Sequence, residues 1–137
     1  MGIEAGIYAR LTGSTDVTGI VGTRIFPGRI PEGQQHPHIR FMIQGVEVTH
    51  TLTAHTSLNE ASVQIDCYTD NSYLDCVTLA EKVRNTFNTN STSFGTIQIE
   101  RSHVTSELDE PPFQPGDGSD NWIFGRSLDI QLHFFST

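Results

Sequence analysis

The sequence predicts a single α+β domain, with a mostly antiparallel sheet and two helices packed on one face. Three observations lead there. At 137 residues the chain is long enough for one hydrophobic core and too short for two. Its apolar residues recur at helical spacing near the start and again over 72–88, and they alternate at strand spacing elsewhere. The resulting order of helix, strands, helix, strands belongs to an α+β architecture, and no internal repeat interrupts it.

In "IEAGIYARLTG" the residues Ile3, Ile7 and Leu11 fall at i, i+4 and i+8, with Tyr8 alongside and Gly13 as a stop. "STDVTGIVGTRIF" follows. Ser14 or Asp16 can cap a short turn carrying Val17, Ile20 and Val21, Gly22 ends it, and Ile25 and Phe26 begin an extended stretch. "PGRIPEGQQHPH", with three prolines and two glycines, reads as loop. Beyond it Ile39, Phe41 and Ile43 alternate, then Val46 and Val48 with His50 and Leu52, so Gly45 is expected as a turn or bulge between two strands.

"ASVQIDCYT" alternates through Val63, Ile65 and Cys67, which places Gln64, Asp66 and Tyr68 on the opposite, outward side. The best helix covers 72–88. Ser72 or Asn71 caps it, Asp75 suits the positive end of the helix dipole, and Val77, Ala80, Val83, Arg84 and Phe87 recur at steps of three and four. "NTNSTSFG" is expected as a polar loop, "TIQIERSHVTSEL" as a strand, and "NWIFGRSLDIQLHFF" as a long closing strand. An acidic, proline-rich loop over about 106–121 is expected between those two strands.

Sixteen acidic residues against eight basic ones give a formal net charge of -8, and Lys82 is the only lysine. Gripping nucleic-acid phosphates needs a basic face, so that role is excluded as the main task. A surface that DNA passes without sticking remains compatible, because like charges repel. No apolar run approaches a membrane span. The opening "MGIEAGIYAR" lacks a charged stretch before an apolar core, and Gly6 stands where a myristoylation motif needs Ser or Thr. A soluble protein of a reducing cytoplasm is expected, with Cys67 and Cys76 as free thiols.

Several motifs invite chemistry. Cys67 ends a strand and Cys76 lies in the first turns of a helix, where a dipole can lower a thiol pKa. Both occupy inward positions, their nine-residue spacing fits no zinc pattern, and packing is the better reading. "HPH" sets His36 and His38 around a proline, with His50 and His55 nearby, yet no carboxylate or thiolate partner is evident and His-x-His alone is weak. His103 and His133 read as ordinary strand residues.

"ELDEPPFQPGDGSDN" offers Asp117, Ser119 and Asn121 at alternate positions, as a calcium loop would, but the glutamate required at the twelfth place is Leu128. "GIVGTR" lacks the ending of a phosphate loop, and no Gly-x-Ser-x-Gly elbow occurs. Asn90-Ser91-Thr92 matches a glycosylation acceptor that, without a secretory signal, is accidental. No catalytic residue, cofactor site or metal site is expected.

Four stretches carry a family resemblance. "EAGIYARLTGSTDVTGIVGTRIFPGRIPEG" offers a helix, a short turn and a proline-bearing loop; "HPHIRFMIQG" a strand in which His38 stands where an aromatic is usual. "ASVQIDCYTDNSYLDCVTLAEKVRNTF" is the strongest stretch, and "GRSLDIQLHF" closes the set. In this order, over residues 3–135, the chain resembles the small tail-completion (tail-terminator) proteins of long-tailed bacteriophages, the gp17-like tail-to-head joining family. The motifs are loose hydrophobic patterns, so their order and spacing carry the specificity.

The resemblance implies a structural virion protein and not an enzyme. It implies a homo-oligomeric ring, typically of six subunits, at the head-proximal end of the tail. Such a ring ends tail-tube polymerisation, docks to the head connector, adaptor or stopper, and lets genomic DNA pass through its lumen without specific binding. No membrane is involved, and assembly takes place in the host cytoplasm. Glu107, Asp109, Glu110, Asp117 and Asp120, or the stretch 46–53, are the expected oligomer or lumen contacts. A head-completion or adaptor ring is the nearest alternative. A small metal- or thiol-dependent enzyme and a peptide-binding adaptor with an open sheet edge are the others.

Overall fold

Ile3, Ile7 and Leu11 are all buried along one side of the first helix, α1 (Ile3–Thr12), as their spacing requires. Glu4 in its first turn and Arg10 in its last complement the helix dipole. The computed structural model to which α1 belongs describes residues 2–49, 57–70, 72–114 and 122–136. A second helix, α2 (Thr15–Val21), follows at once. Ser14 caps it by accepting from the Val17 amide, and Gly22 ends it at φ 60°, a left-handed conformation that glycine adopts without strain.

Next come β1 (Ile25–Pro27), β2 (His38–Thr49), β3 (Ser57–Thr69), α3 (Tyr73–Phe87), β4 (Thr89–Phe94), β5 (Ile97–Phe113) and β6 (Ile123–Ser136). The architecture is α+β, with three helices where two were expected, because the turn after Ser14 completes a helix of its own. The six strands form one sheet in the order β1-β2-β3-β6-β5-β4. It is a mixed sheet, where a mostly antiparallel one was expected. β1 runs parallel to β2, pairing Ile25 with Ile39 and Pro27 with Phe41, while the other pairings are antiparallel. The chain between them, 28–37, brings β2 back in the direction of β1, whereas a tight hairpin would have reversed it.

Four further expectations change. Gly45 joins no two strands: it marks a bulge within the continuous β2, between Ile43 and Gly45. Residues 89–94 are strand β4 and not loop, since "TNSTSF" pairs with β5 from Thr89–Ser102 to Phe94–Ile97. The stretch 107–113 is the far end of β5 and not the start of a loop. Pro111 and Pro112 are tolerated there because they fall in a register irregularity with β6, between Glu110 and Phe113, and because among the described residues β4 pairs only with Ile97–Ser102 of β5. The inward face of α3 is Cys76, Leu79, Ala80, Val83 and Phe87, with Val77 only half-buried.

Every helix and every strand contributes to one apolar cluster, built around Ile7, Phe41, Ile65, Leu79, Phe87, Phe94, Ile99 and Leu128. Phe87 and Phe94 meet edge to face, 5.5 Å between centroids. Arg10 lies over the Phe94 ring and donates from Nε to the Thr86 carbonyl, tying α1 to the end of α3. Ser72 caps α3 by accepting from the Asp75 amide, and Asn88 at the other end accepts from the Val104 amide of β5. Among the described residues, no helix is long and apolar enough to cross a membrane.

Candidate assembly surface

Side chains that alternate away from the apolar cluster meet in register across three strands. Arg40 on β2 stands opposite Asp66 on β3, and Asp66 opposite Ser127 on β6. The Asp66 carboxylate is buried and saturated with donors. Arg40 donates from Nε (3.0 Å) and Nη2, Gln64 from its amide (2.9 Å) and Ser127 from Oγ (2.6 Å). Asp66 is therefore no idle outward residue. Outward alternation brought it under Arg40, whose side chain keeps 29% exposure against 1% for Asp66. A carboxylate out of water survives only when paired and hydrogen-bonded in this way.

Glu110 on β5 joins the same network, accepting from the Tyr68 hydroxyl at 3.2 Å, while Ser127 Oγ, whose one proton goes to Asp66, lies 3.3 Å from it. Burial, followed by the charges of Asp66 and Glu110, pushes the Tyr68 phenol well above its ordinary pKa. Further along this face, Gln131 donates to Glu60 and accepts from Ser62, and His133 lies 3.9 Å from Glu60.

Glu107 and Asp109 point to the other side of the sheet, toward α3. Arg84 Nη1 donates to Glu107 Oε2 at 2.7 Å, and the Tyr73 hydroxyl to Asp109 Oδ2 at 2.5 Å. Arg126 on β6 lies between the two carboxylates, Nε 3.2 Å from Asp109 and 3.8 Å from Glu107, in ion-pair range but without hydrogen-bond geometry. Strand alternation thus separates the acidic run: Glu107 and Asp109 meet α3, and Glu110 meets β3. Asp117 and Asp120 lie outside the described residues, as do His50, His55, Ser119 and Asn121. The sequence reading missed Arg40, Tyr68, Tyr73, Arg84, Arg126 and Ser127. Only the shared parity of Arg40, Asp66 and Ser127 on neighbouring strands could have pointed to the first network.

Both sides of the sheet end in partly unpaired strand. Among the described residues β1 covers Ile39–Phe41 of β2 and the stretch from Met42 to Thr49 has β3 alone beside it, with Met42, Val46 and Val48 exposed there. On the far side, β5 beyond Ser102 carries the exposed Leu108 and Phe113, and Trp122 is exposed just before β6. Exposed apolar side chains beside open backbone donors and acceptors are what an interface uses.

Neither cysteine is set up to react. Both are buried free thiols, and Cys76 Sγ donates to the Cys67 carbonyl at 3.6 Å. Burial pushes the Cys76 thiol up to about 11, and the Cys67 thiol upward as well. Among the described residues no three His, Cys, Asp or Glu side chains are grouped to hold a metal ion. His36 and His38 face each other at 4.5 Å between ring centroids, with no such third ligand.

Comparison with known proteins adds what geometry alone lacks. No curated protein matches the chain. A chain of the solved structure described as "Virion of native gene transfer agent (GTA) particle" superposes at a TM-score of 0.67 with 12% identity, covering 98% of this chain and 95% of that one. A second solved structure superposes at a TM-score of 0.56 with 13% identity, covering 98% and 96%. At such identities the likeness shows a shared fold over nearly the whole length. Residues 5–112, most of the chain and including both charged networks except Arg126 and Ser127 of β6, match the family described as "Tail completion protein gp17". The protein therefore belongs to the gp17 tail completion family, a family of structural, non-enzymatic bacteriophage proteins.

Proposed function

We propose that the chain forms a ring at the head-proximal end of a phage tail, ends tube polymerisation there, and joins the tail to the head connector while DNA passes through. The observation that carries this reading is the family match over residues 5–112. Supporting it is the sheet itself, in which β2 and β5 run beyond the short outer strands β1 and β4 and carry exposed apolar residues there. Two different open edges on one subunit allow head-to-tail contacts, and such contacts close into rings when the rotation permits. Six copies make the expected ring. Its partners are the tail tube protein on one side and a connector, adaptor or stopper on the other.

Subunit or lumen contacts are assigned to the β5–β6 arm, through Glu107, Asp109, Glu110, Asp117 and Asp120, and to the outer part of β2. The formal charge of -8 suits a passage through which DNA slides without binding. The protein resides in the virion and assembles in the host cytoplasm. Electron microscopy of the purified protein, alone and with isolated tail tubes, tests the reading. Closed rings that cap tube ends support it. Rings that ignore tubes but bind connectors would instead identify a head-completion adaptor. Charge reversal at Asp109, Glu110 and Asp117 with unchanged assembly and infectivity would remove those residues from the contact surface.

A further inference from the structure

The His36-Pro37-His38 motif has no part in the assembly surface, yet its two imidazoles are placed with care. His38 begins β2 and is 5% exposed. Its ring lies 4.5 Å from His36, 5.3 Å from Tyr68 and 6.2 Å from Phe26, centroid to centroid. Its Nδ1 is 3.0 Å from the Gln35 carbonyl, so that nitrogen carries the proton and donates. Arg24 Nε donates to the Pro37 carbonyl at 2.8 Å, which fixes a permanent positive charge beside the pair. These two hydrogen bonds fasten the C-terminal end of the 28–37 segment, whose N-terminal end is held by the Gly28 amide on the Phe41 carbonyl.

We propose that the paired His36 and His38 rings are a pH-sensitive latch: neutral, they fasten the end of the 28–37 segment through His38, which packs on Tyr68 at the end of β3, and protonated they release it. Burial is the chief cost of charging either ring and lowers the pKa of both, with the Arg24 charge acting in the same direction. Two imidazolium charges with ring centroids 4.5 Å apart would also repel one another. Asp70, at the end of β3, opposes this by attracting the charged form, as does the Gln35 carbonyl for His38. Tyr68, the remaining polar neighbour, is neutral and engaged with Glu110 on β5.

The sign follows from the lowered values. Below the ordinary histidine value of 6.5 the open segment binds protons that the closed one refuses. The closed form is therefore fully favoured above that value and loses ground as the pH falls through it toward the lowered values. Each unit of pKa difference is worth about tenfold in the closed-to-open ratio.

Amide hydrogen exchange of the intact chain, corrected for the intrinsic pH dependence of exchange, tests the latch. Between pH 7.5 and 5.0 the protection factors of the Gly28, Arg29 and Ile39 amides, which close the two ends of the segment, should fall, while those of Val63 and Ile65 stay constant. The double variant His36→Phe/His38→Phe keeps the stacking and should lose the pH dependence. An equal fall in that variant, or none in the native chain, overturns the proposal. Imidazole NMR of the native chain is an independent check, and titration of both rings at or above 6.5 would equally overturn it.

Discussion

The Tyr68 hydroxyl reaches from β3 across β6 and donates to Glu110 on β5, and it crosses where β6 carries Gly125. A Cβ at Gly125 would lie 2.9 Å from the Tyr68 ring and 2.9 Å from the Glu110 carboxylate. Gly125→Ala should force the ring aside and cost about 1–3 kcal/mol, the usual range for overpacking. Tyr68→Phe loses only the hydrogen bond, about 1 kcal/mol. Urea unfolding of both variants checks the order, and a harmless Gly125→Ala would mean that the crossing is loose.

Asp66 and Arg40 predict an asymmetry. Removing the guanidinium leaves a buried carboxylate with only Gln64 and Ser127, whereas removing the carboxylate charge leaves a guanidinium with access to water. Arg40→Met should therefore cost about 3–5 kcal/mol, as broken buried pairs do. Asp66→Asn should cost less. Chemical denaturation measures both, and the reverse order would show that the carboxylate rests on its other donors.

Arg84 and Phe87 are one helical turn apart and should behave differently. Arg84 pairs with Glu107 while keeping 38% side-chain exposure, so solvent screens the pair and Arg84→Ala should cost at most about 1 kcal/mol. Phe87 is fully buried against Phe94, and Phe87→Ala should cost about 3–5 kcal/mol. Thermal melts of the two variants separate the contributions.

The thiols set an alkaline limit. Because the folded Cys76 thiol is pushed to about 11 from an ordinary 9.0, the unfolded chain releases its proton first as the pH rises. Stability contributed by the neutral thiol is complete below pH 9.0 and falls away toward about 11. Cys67, raised likewise, adds to the loss. A Cys67→Ala/Cys76→Ala variant should be less stable at neutral pH yet show a flatter decline above 9.0. At pH 7.5 an alkylating reagent should label the native protein far more slowly than the urea-unfolded one.

Val46 and Val48 test the open edge of β2. Both are exposed, 44% and 54%, so Val46→Lys/Val48→Lys should change monomer stability by only about 0.5 kcal/mol or less. Under the proposed ring assembly the same variant should fail to close rings or cap tubes in electron micrographs. Normal assembly would place the subunit contact elsewhere.

Helices α1 and α3 and the alternation of β3 were legible because each buries one periodic stripe: Ile3, Ile7 and Leu11; Ala80, Val83 and Phe87; Val63, Ile65 and Cys67. Strand β4 was not, since "TNSTSF" buries only Phe94 and is held as a strand by its β5 neighbour. The far end of β5 was hidden by its prolines and acids, whose partners Arg84, Arg126 and Tyr68 come from other elements. Parallel pairing of β1 depends on the course of 28–37, about which local periodicity is silent. Of the expected contact residues, sequence supplied the acids but not their sorting onto two faces.

Pro111 and Pro112 stand on a stretch of β5 with no strand on its outer side among the described residues. Lacking N–H groups, they cannot hydrogen-bond a newcomer strand at that point, so an approaching chain finds the ladder interrupted. A sheet with such a terminus resists indefinite edge-on growth. Concentrated solutions of the protein should accordingly hold assemblies of defined size, and Pro111→Thr/Pro112→Thr should open the way to fibres.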